Sequence, residues 1–575
     1  MSNKEFLYKR VFYIAIIVSV ATAYLFIVFG NNVDKKYYYG FILTVVLLCI
    51  SLLSYKKYRY EKDIRIVGES YGHHVEKKKK KEIRTSLFNI KKENADYYID
   101  EQSFKDLNLG SVFNKINNTF TSIGEEMLYC ILRLPLFNKQ EIENRDKHIS
   151  VFQKDKVLRE KISYHLFRLS KFRKGDMAEF LYGTAPKPSI FGYLVNFMFI
   201  LTIGTIIYVS LNPKDIFYII MLFMANYAIH GYIKNKVFSN IEVIRDIGSM
   251  IYTVNKISAI ESTDLPFLKE LGELNKNCRK LGSSTSILGS IEGVDIITDY
   301  CRIMFLIEER NYFKSISKIN GNIDNLKKIY DILGKIDAYI SIASYRTYIE
   351  NYSVPVFTDK KGYLNMKDAY HPLVNNPVKN DILLDDNGII LTGSNMSGKS
   401  TFLKTLGVNA LFSQTIVTVL TSCYEGSLFR VITSISPEDS ILEGKSYYLA
   451  EAEALLRITK LSDGRPLLCL IDEIFRGTNP LERINSSAEI LDYIAKNGGV
   501  PIVATHDIEL THLTKHPFNL YYFKEDVGEN GLTFDYKIRE GVSNTQNAIK
   551  LLEFLGYPKE ITDNAFKRVS NEKVL

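Results

Sequence analysis

The first part of the chain contains two long stretches in which almost every position is apolar. Val11–Phe29 and Tyr37–Tyr55 carry no charged residue, and a short polar linker joins them. A helix needs about 20 such residues to cross the hydrocarbon core of a bilayer. Residues 1–60 are therefore predicted to form a transmembrane hairpin. Basic flanks put both of its ends in the cytoplasm. A cleaved signal peptide is the alternative because Ala21–Ala23 has the small-x-small form, but the apolar stretch continues beyond it.

A second apolar pair lies further along the chain. Pro188–Leu211 and Ile216–Ile233 are separated by a short polar turn and flanked by basic residues, as in the first pair. This pattern predicts a second transmembrane hairpin over 188–233, and hence a multi-pass membrane protein with four spans. A buried helix pair in a soluble domain is the alternative. Asn226 and His230 are polar side chains in the second segment, and they make it a weaker candidate for a membrane span.

The region between the two hairpins is basic and then helical. Residues 61–102 form a linker with an unbroken lysine run at 77–81. A solvated linker, a cluster that attracts anionic lipid and a contact to DNA phosphates are all compatible with it. Residues 103–187 have apolar positions at three- and four-residue spacing, which predicts a helical core-like segment.

The same helical spacing continues after the second hairpin. Residues 234–350 are predicted to form a helical lever, most clearly at Ile244–Leu271 and Asn322–Tyr348. Strand-like segments rich in turns begin at Val354, so the last domain is predicted to be 351–575. The fold class is thus multidomain, with an α-helical N-terminal region followed by an α/β domain.

Composition adds limits to this picture. Apolar residues make up 46% of the chain and charged residues 24%, which is typical of a folded protein. The net charge of +8 permits an anionic partner without requiring one. The six cysteines include no C-x-x-C pair, which argues against a zinc site and a disulfide framework. The soluble part is therefore predicted to face the cytoplasm.

The α/β domain opens with a nucleotide-binding pattern. The apolar strand Gly388–Thr392 runs into a segment of the form G-x-x-x-x-G-K-S, and a helical pattern follows. Strand, loop and helix in this order indicate a P-loop, whose backbone N–H groups surround phosphate oxygens. ATP is the predicted ligand. Its predicted contacts are Gly393, Ser394, Asn395, Met396, Ser397, Gly398, Lys399, Ser400 and Thr401.

Two further strands end in residues that complete such a site. Leu467–Ile471 ends at Asp472 and Glu473, and a third strand ends at His506. Ser400 and Asp472 are predicted to hold Mg²⁺. Glu473 is the predicted base that activates water, and His506 is predicted to contact the γ-phosphate.

Together these motifs resemble the ATPase domain of the MutS DNA mismatch-repair family. The Asn-Met pair at 395–396 and the Asp-Glu-x-x-Arg-Gly-Thr segment at 472–478 are specific to that likeness, which runs through roughly 365–570. Ala504–His506 and Tyr370–Pro372 match two shorter motifs. The resemblance implies an ABC-type P-loop fold that ends in a C-terminal helix-turn-helix used for dimerisation.

The resemblance also implies further contacts and partners. Gln414 falls where the family has a glutamine after the first helix, and Ser446 fits the serine that contacts nucleotide bound by the other subunit. Tyr447 replaces the usual following threonine. A homodimer that binds double-stranded or branched DNA is therefore expected. Asn117–Gly124 is similar to the opening of the family's helical core domain.

Two departures of this sequence from the family's pattern limit the function that the resemblance implies. The sole Phe-x-Glu sequence is Phe523–Glu525, inside the ATPase region and not in an N-terminal mismatch-reading domain. Val378 lies near the place where the family commonly carries an aromatic residue that stacks on adenine. The first hypothesis is a dimeric ATPase clamp on DNA, acting in mismatch repair or related DNA metabolism. The alternative is a membrane-associated mechanical ATPase with no DNA substrate.

Overall fold

The computed structural model divides the chain into two compact units. Unit 1 comprises Met1–Leu87, Asn118–Met127 and His148–Tyr348, and unit 2 comprises Phe88–Asn117, Leu128–Lys147 and Ile349–Leu575. The structure describes residues 3–73, 83–170, 176–183, 191–289, 296–349, 351–394, 397–435, 447–461, 465–475, 478–528, 531–542 and 548–572.

Helices account for nearly all of the regular structure before residue 350. In chain order the α-helices are α1 Asn3–Asn32, α2 Phe41–Ser70, α3 Ser86–Lys91, α4 Glu101–Asp106, α5 Leu109–Ile116, α6 Ser122–Arg133, α7 Lys139–Lys154, α8 Lys156–Leu169, α9 Met177–Tyr182, α10 Phe191–Leu211, α11 Phe217–Ile257, α12 Phe267–Gly289, α13 Ile296–Met304, α14 Ile307–Asn320, α15 Ile323–Ile349, α16 Lys399–Gln414, α17 Tyr447–Leu461, α18 Pro480–Lys496, α19 Leu510–Leu513, α20 Ala548–Phe554 and α21 Lys559–Glu572.

The described strands all lie in unit 2. They are β1 Val356–Phe357, β2 Tyr363–Ala369, β3 Asn380–Asp385, β4 Gly388–Thr392, β5 Cys423–Gly426, β6 Arg430–Ser434, β7 Leu467–Asp472, β8 Gly499–Thr505, β9 Phe518–Gly528 and β10 Gly531–Glu540.

In unit 1, α1 and α2 form an antiparallel hairpin whose outer face is apolar. Ile17 and Val20 are each about two-thirds exposed, whereas Ser19 and Ser51 are buried on the inner face. The aromatic rings of Phe12 and Tyr55 lie 5.0 Å apart at the end where α1 begins. Such a pattern, apolar outside and small or polar inside, is typical of helices that pack in lipid.

Four helical segments are long and apolar enough to cross a membrane, judged by length and composition: Asn3–Asn32, Lys35–Ser70, Phe191–Leu211 and Pro213–Ile233. These segments coincide with the four predicted spans. Two of them belong to helices that run on well past the apolar stretch. α11 is a single helix of 41 residues, and its second half contributes buried residues such as Ile244 and Ile247 to unit 1.

The predicted lever is helical, but one expected helix is divided. α15 covers the region expected at Asn322–Tyr348. By contrast, the stretch expected to be helical over Ile244–Leu271 is interrupted between Ile257 and Phe267. Pro266, directly before α12, prevents one continuous helix through this stretch because proline removes a backbone donor and disfavours helical geometry in the residue before it.

A polar joint connects the second apolar pair to the helices that follow it. The chain turns sharply between α13 and α14, where Leu306 has a φ of +47°. The carbonyl of Met304 accepts a hydrogen bond of 2.6 Å from the Asn226 side chain, which also donates to Thr202 at 3.0 Å. One turn further along α11, His230 Nδ1 lies 2.7 Å from Glu309 Oε1.

Unit 2 is built on a six-stranded sheet with the order β10-β9-β4-β8-β7-β6. Its strands are parallel except β10, which pairs antiparallel with β9. β4, β7 and β8 are entirely buried, as expected of the central strands of a parallel sheet. A smaller sheet, β1-β5-β2-β3, completes the α/β unit.

Residues 103–187, predicted as one segment, are divided between the two units. The part up to Asn117 belongs to unit 2 because it packs against β6. There the buried Asp106 carboxylate accepts hydrogen bonds from the Thr433 hydroxyl at 2.6 Å and the Ile435 amide at 3.0 Å. Buried polar groups satisfied in this way fix one arrangement of the elements that carry them.

Candidate functional site

The carboxyl ends of three neighbouring strands bring the predicted catalytic residues together. β4, β8 and β7 are adjacent and parallel, so the residues that follow them emerge at one edge of the sheet. Gly393 follows β4, His506 follows β8, and Glu473 follows Asp472 at the end of β7. Open parallel sheets bind ligands at this edge.

The loop after β4, the predicted phosphate loop, has two glycines with positive φ angles. Gly393 and Gly398 have φ angles of +144° and +106°, which side chains with a Cβ atom rarely adopt. A Cβ atom on Gly393 would lie 3.1 Å from the Ser397 hydroxyl. α16 begins at Lys399, so its N-terminal N–H groups face the loop. Asn395 and Met396 lie outside the described residues.

Lys399 is held inside this loop. Its side chain is 6% exposed, and Nζ donates to the carbonyl oxygens of Gly393 and Ser394, both at 2.7 Å. Nζ also lies 3.4 Å from His506 Nε2. The lysine charge is thus aimed at the space that the loop encloses.

Ser400 and Asp472 form the second part of the site. The Ser400 hydroxyl, in the first turn of α16, donates to the Asp472 carboxylate at the end of β7. Asp472 is 7% exposed. A hydroxyl and a carboxylate side by side offer the hard oxygen ligands that Mg²⁺ prefers, so these two residues fit the predicted metal.

Glu473 and His506 form the third part. Glu473 Oε1 lies 3.2 Å from His506 Nε2. The backbone of Glu473 has a φ of +60°, and its N–H donates to the Ala504 carbonyl at 2.8 Å. A non-glycine residue in this conformation costs on the order of 1 kcal/mol, and such strain is concentrated at functional sites. The turn directs the carboxylate toward the histidine.

Lys399, Ser400, Asp472 and Glu473 line a cavity of about 530 Å³, together with residues that the sequence did not single out. Tyr536 of β10 stands over the loop, and a Cβ atom on Gly398 would lie 3.1 Å from its ring. Asn380 fixes the irregular β10 backbone here: its side chain donates to the Tyr536 carbonyl and accepts from the Ile538 amide, each at 2.9 Å. Val378 is on the same wall.

Glu525 is a second residue that sequence reasoning did not assign to the site. It is buried on β9, and its carboxylate accepts a hydrogen bond from the Ser394 hydroxyl. The Phe523–Glu525 sequence therefore lies beside the phosphate loop, as its position in the ATPase region suggested. Neither Glu525 nor Tyr536 could be found from spacing because pairing of β9 and β10 with the central sheet brings them here.

His371, in the Tyr370–Pro372 motif, lines the inner wall of the same cavity. Burial, with help from the charges of Lys404 and Lys115, lowers the pKa of His371 to about 4, so the ring is neutral at physiological pH. Its Nδ1 accepts a hydrogen bond from the Leu373 amide at 3.2 Å. This contact shapes the chain as it enters the cavity wall.

Gln414 is not brought to the cavity. It is the last residue of α16, and its side chain is buried between backbone groups: it donates to the Leu136 carbonyl at 3.1 Å and accepts from the Phe429 amide at 2.8 Å. The structure thus gives this side chain a packing role where the resemblance implied a nucleotide contact. Ser397 and Thr401 do line the cavity. Ser446 lies outside the described residues, so its expected contact is not placed.

Comparison with known proteins agrees with this geometry. Residues 389–572 match the model of MutS domain V. A DNA mismatch repair protein MutS from Fusobacterium nucleatum is 26% identical over 514 residues, which cover 80% of this chain and 56% of the relative. One from Finegoldia magna is 25% identical over 580 residues, covering 90% and 65%.

A shorter alignment has a higher identity. A DNA mismatch repair protein MutS from Thermotoga maritima is 31% identical over 270 residues, 45% of this chain and 33% of the relative. The chain thus spans between one third and two thirds of the length of these relatives. The likeness extends beyond the ATPase part in the longer alignments, and the chain is a member of the MutS family.

Proposed function

We propose that the cavity at the edge of the six-stranded sheet binds ATP with Mg²⁺ and hydrolyses it to ADP and phosphate. Lys399 and the backbone N–H groups of the loop hold the phosphates, and Ser400 and Asp472 hold the metal. Mg²⁺, when bound, would neutralise charge on the phosphate oxygens. The observation that carries the proposal is that Lys399, Ser400, Asp472 and Glu473 line one cavity, with His506 Nε2 3.2 Å from Glu473 Oε1.

Glu473 would act as the general base. A partly buried carboxylate beside a histidine can accept a proton from an attacking water. His506, between Glu473 and Lys399, is suited to donate a hydrogen bond toward the terminal phosphate as negative charge develops there.

Tyr536 would bind the base. Its ring lines the mouth of the cavity with Val378, and it stands over the loop that receives the phosphates. An aromatic face at that place can stack on adenine, a contact worth about 0.5–1.5 kcal/mol beyond buried area when two aromatic systems meet. Tyr536 would thus supply the aromatic contact for which the sequence near Val378 offers no candidate.

The protein would work as a dimeric, ATP-dependent clamp on double-stranded or branched DNA. The relatives' common name, DNA mismatch repair protein, supports DNA as the partner, and the long alignments support the use of the helical unit as well as the ATPase. In this proposal the helices of unit 1 contact DNA, and α20 and α21 pair with a second copy. Ser446 would contact the nucleotide of that second copy.

A membrane-associated mechanical ATPase is the second candidate, and a specific feature of unit 1 favours it. α11 is continuous from its apolar first half to its buried second half, so a displacement of one half must move the other. Nucleotide-driven motion could then act on membrane helices without any DNA. The two candidate functions share the ATP site and differ in what the nucleotide-driven motion acts on, which is DNA in the first and membrane helices in the second.

The test uses the full chain in detergent or nanodiscs. We would measure ATP turnover, and then titrate homoduplex, mismatched and branched DNA with and without ATP at two salt concentrations. Binding that changes with ATP supports the clamp. DNA binding that weakens steeply with salt, shows no preference among the DNA structures and does not change with ATP indicates a basic surface only. Turnover with no DNA binding favours the membrane machine, and absence of turnover contradicts both.

A further inference from the structure

An ion pair outside the catalytic groups lies immediately next to them. Arg483 is in the first turns of α18, and Asp507 directly follows His506. Arg483 Nε donates to Asp507 Oδ2 at 2.9 Å, and a second guanidinium nitrogen lies 2.5 Å from Oδ1. The contact is bidentate, which is the strong and geometrically specific form of an arginine–carboxylate pair.

The pair differs from an ordinary surface ion pair. The side chains of Arg483 and Asp507 are 24% and 17% exposed, so solvent screens them only in part. Both partners are also fixed through their backbones. The Arg483 amide donates to the Asn479 carbonyl, and the Asp507 amide donates to the Thr505 hydroxyl at 3.0 Å. Two rigid elements are therefore joined at one point.

In the chain, the two elements adjoin the residues proposed to activate water, Glu473 and His506. α18 begins a few residues after Glu473, with Asn479 as its N-terminal cap. The turn that holds Asp507 also holds His506, whose side chain is 38% exposed to solvent. Without a brace, a half-exposed side chain on a turn after a strand has freedom to leave its hydrogen-bonding position.

We propose that Arg483, acting through Asp507, is a positioning residue that holds His506 against Glu473 and the terminal phosphate. This inference rests on the proposed ATPase function and assigns the positioning of His506 to a residue pair that does not line the cavity. Misplacement of a catalytic group by about 1 Å can lower a rate on the order of 100-fold, so loss of the brace should be visible in turnover.

The matched control is another ion pair on the same helix. Lys515 Nζ lies 2.6 Å from Glu489 Oε1, which joins α18 to the segment after α19 but does not adjoin His506. Both side chains of this pair are about 70% exposed. Lys515→Ala therefore removes a salt bridge from α18 without touching the turn that carries the histidine.

The experiment measures kcat, KM and equilibrium ATP binding of the full chain for Arg483→Ala, Arg483→Lys and Lys515→Ala. We expect Arg483→Ala to lower kcat on the order of 10- to 100-fold with ATP affinity changed less than about threefold. Arg483→Lys should recover part of the loss because one charged hydrogen bond is kept. Lys515→Ala should retain the parent kcat. Equal losses in Arg483→Ala and Lys515→Ala, or a kcat within about twofold of the parent in Arg483→Ala, would overturn the proposal.

A double-mutant cycle separates positioning from general stability. Arg483→Ala is combined with His506→Gln, and turnover is followed with radiolabelled ATP at enzyme excess. If Arg483 acts through His506, its replacement should change the rate little once His506 is gone. An undiminished loss in the double variant would refute this route. Absence of turnover in the parent protein is a different result, which would reject the ATPase proposal itself.

Discussion

Glu473 shows how much of the site depends on single residues. Its backbone is in the left-handed region, its carboxylate faces His506, and the residue before it faces Ser400. One turn thus directs two adjacent carboxylates to different partners, Asp472 to Ser400 and Glu473 to His506. A strand that ends in two acids can do this only if the chain bends sharply between them.

The first prediction concerns that carboxylate. Glu473→Gln should bind ATP and Mg²⁺ as the parent does, yet turn over at least ~100-fold more slowly because an amide cannot take up the proton of water. Steady-state turnover and equilibrium ATP binding measure the two effects separately. Lys399→Ala serves as the contrasting variant, since it should weaken binding itself. Parent-like turnover of Glu473→Gln would show that another group is the base.

A buried acid in unit 1 gives a second prediction, on pH and stability. Burial, followed by the nearby Asp176 carboxylate, raises the pKa of Glu126 from its ordinary value of 4.5 to about 8. Between these values the folded protein keeps a proton that the unfolded chain releases, so this residue stabilises the fold less and less as pH rises. Its carboxylate accepts a hydrogen bond from the Tyr330 hydroxyl at 3.0 Å.

Glu126→Gln should remove this pH dependence because the amide stays neutral. We expect the thermal midpoint of the variant, relative to the parent, to be higher at pH 8 than at pH 5. Thermal unfolding of the purified chain at both pH values measures the difference. Glu125→Gln is the control on the neighbouring, less buried position. A difference that is the same at both pH values would mean that Glu126 does not titrate in this window.

At the scale of elements, two apolar helices continue into the folded part of unit 1. α2 extends beyond its apolar stretch and packs on α8, where the rings of Tyr60 and Tyr164 lie 4.8 Å apart. α11 runs on in the same manner. The turn between α13 and α14 is fixed to α10 and α11 by side-chain hydrogen bonds within an otherwise apolar contact. The apolar pair α10–α11 is thus tied to the helices that follow it.

The polar joint gives a third prediction. Asn226→Leu removes the donor to the Met304 carbonyl and to Thr202, and it leaves a carbonyl without that partner. We expect a loss of about 1–3 kcal/mol in stability. Thermal unfolding of the full chain in detergent, compared with Tyr227→Leu on the exposed face of the same helix, measures it. Equal effects of the two variants would indicate that the joint contributes no specific stabilisation.

At the scale of the whole molecule, a unit that contains the match to MutS domain V shares one chain with a unit that carries four apolar helices. Exposed residues on those helices, such as Ile200 at 68% and Leu211 at 77%, would be unfavourable in water. A bilayer removes this penalty, and the exposure supports the proposal that the chain is a membrane protein with its ATPase in the cytoplasm.

The fourth prediction follows from that proposal. The full chain, expressed in a bacterial host, should remain with the membrane fraction after an alkaline carbonate wash because spanning helices are not released by loss of charge contacts. Immunoblotting of pellet and supernatant measures this. Replacement of the apolar residues Ile14, Ile17 and Val20 by lysine should release at least part of the chain. Recovery of the parent chain in the supernatant would contradict the transmembrane interpretation.

The sequence alone determined those features that depend on local pattern. β4, β7 and β8 lie where continuous apolar runs predicted strands, and α15 and the four apolar segments lie where helical runs were predicted. Backbone propensity and apolar periodicity act over a few residues, so the sequence carries them directly. The roles of Lys399, Ser400 and Asp472 were predicted from spacing for the same reason, and the structure brings these residues together.

Tertiary structure decided what depends on contacts between distant parts of the chain. Strand pairing placed Tyr536 in the cavity wall and Glu525 beside Ser394, whereas Gln414, at the end of α16, is hydrogen-bonded to the backbone of Leu136 and Phe429. Packing against β6 moved the segment before Asn117 into the ATPase unit, which no periodicity could indicate. The brace between Arg483 and Asp507 is of the same kind. Such contacts follow from the pairing of strands and helices, and the residues that form them carry no local signal.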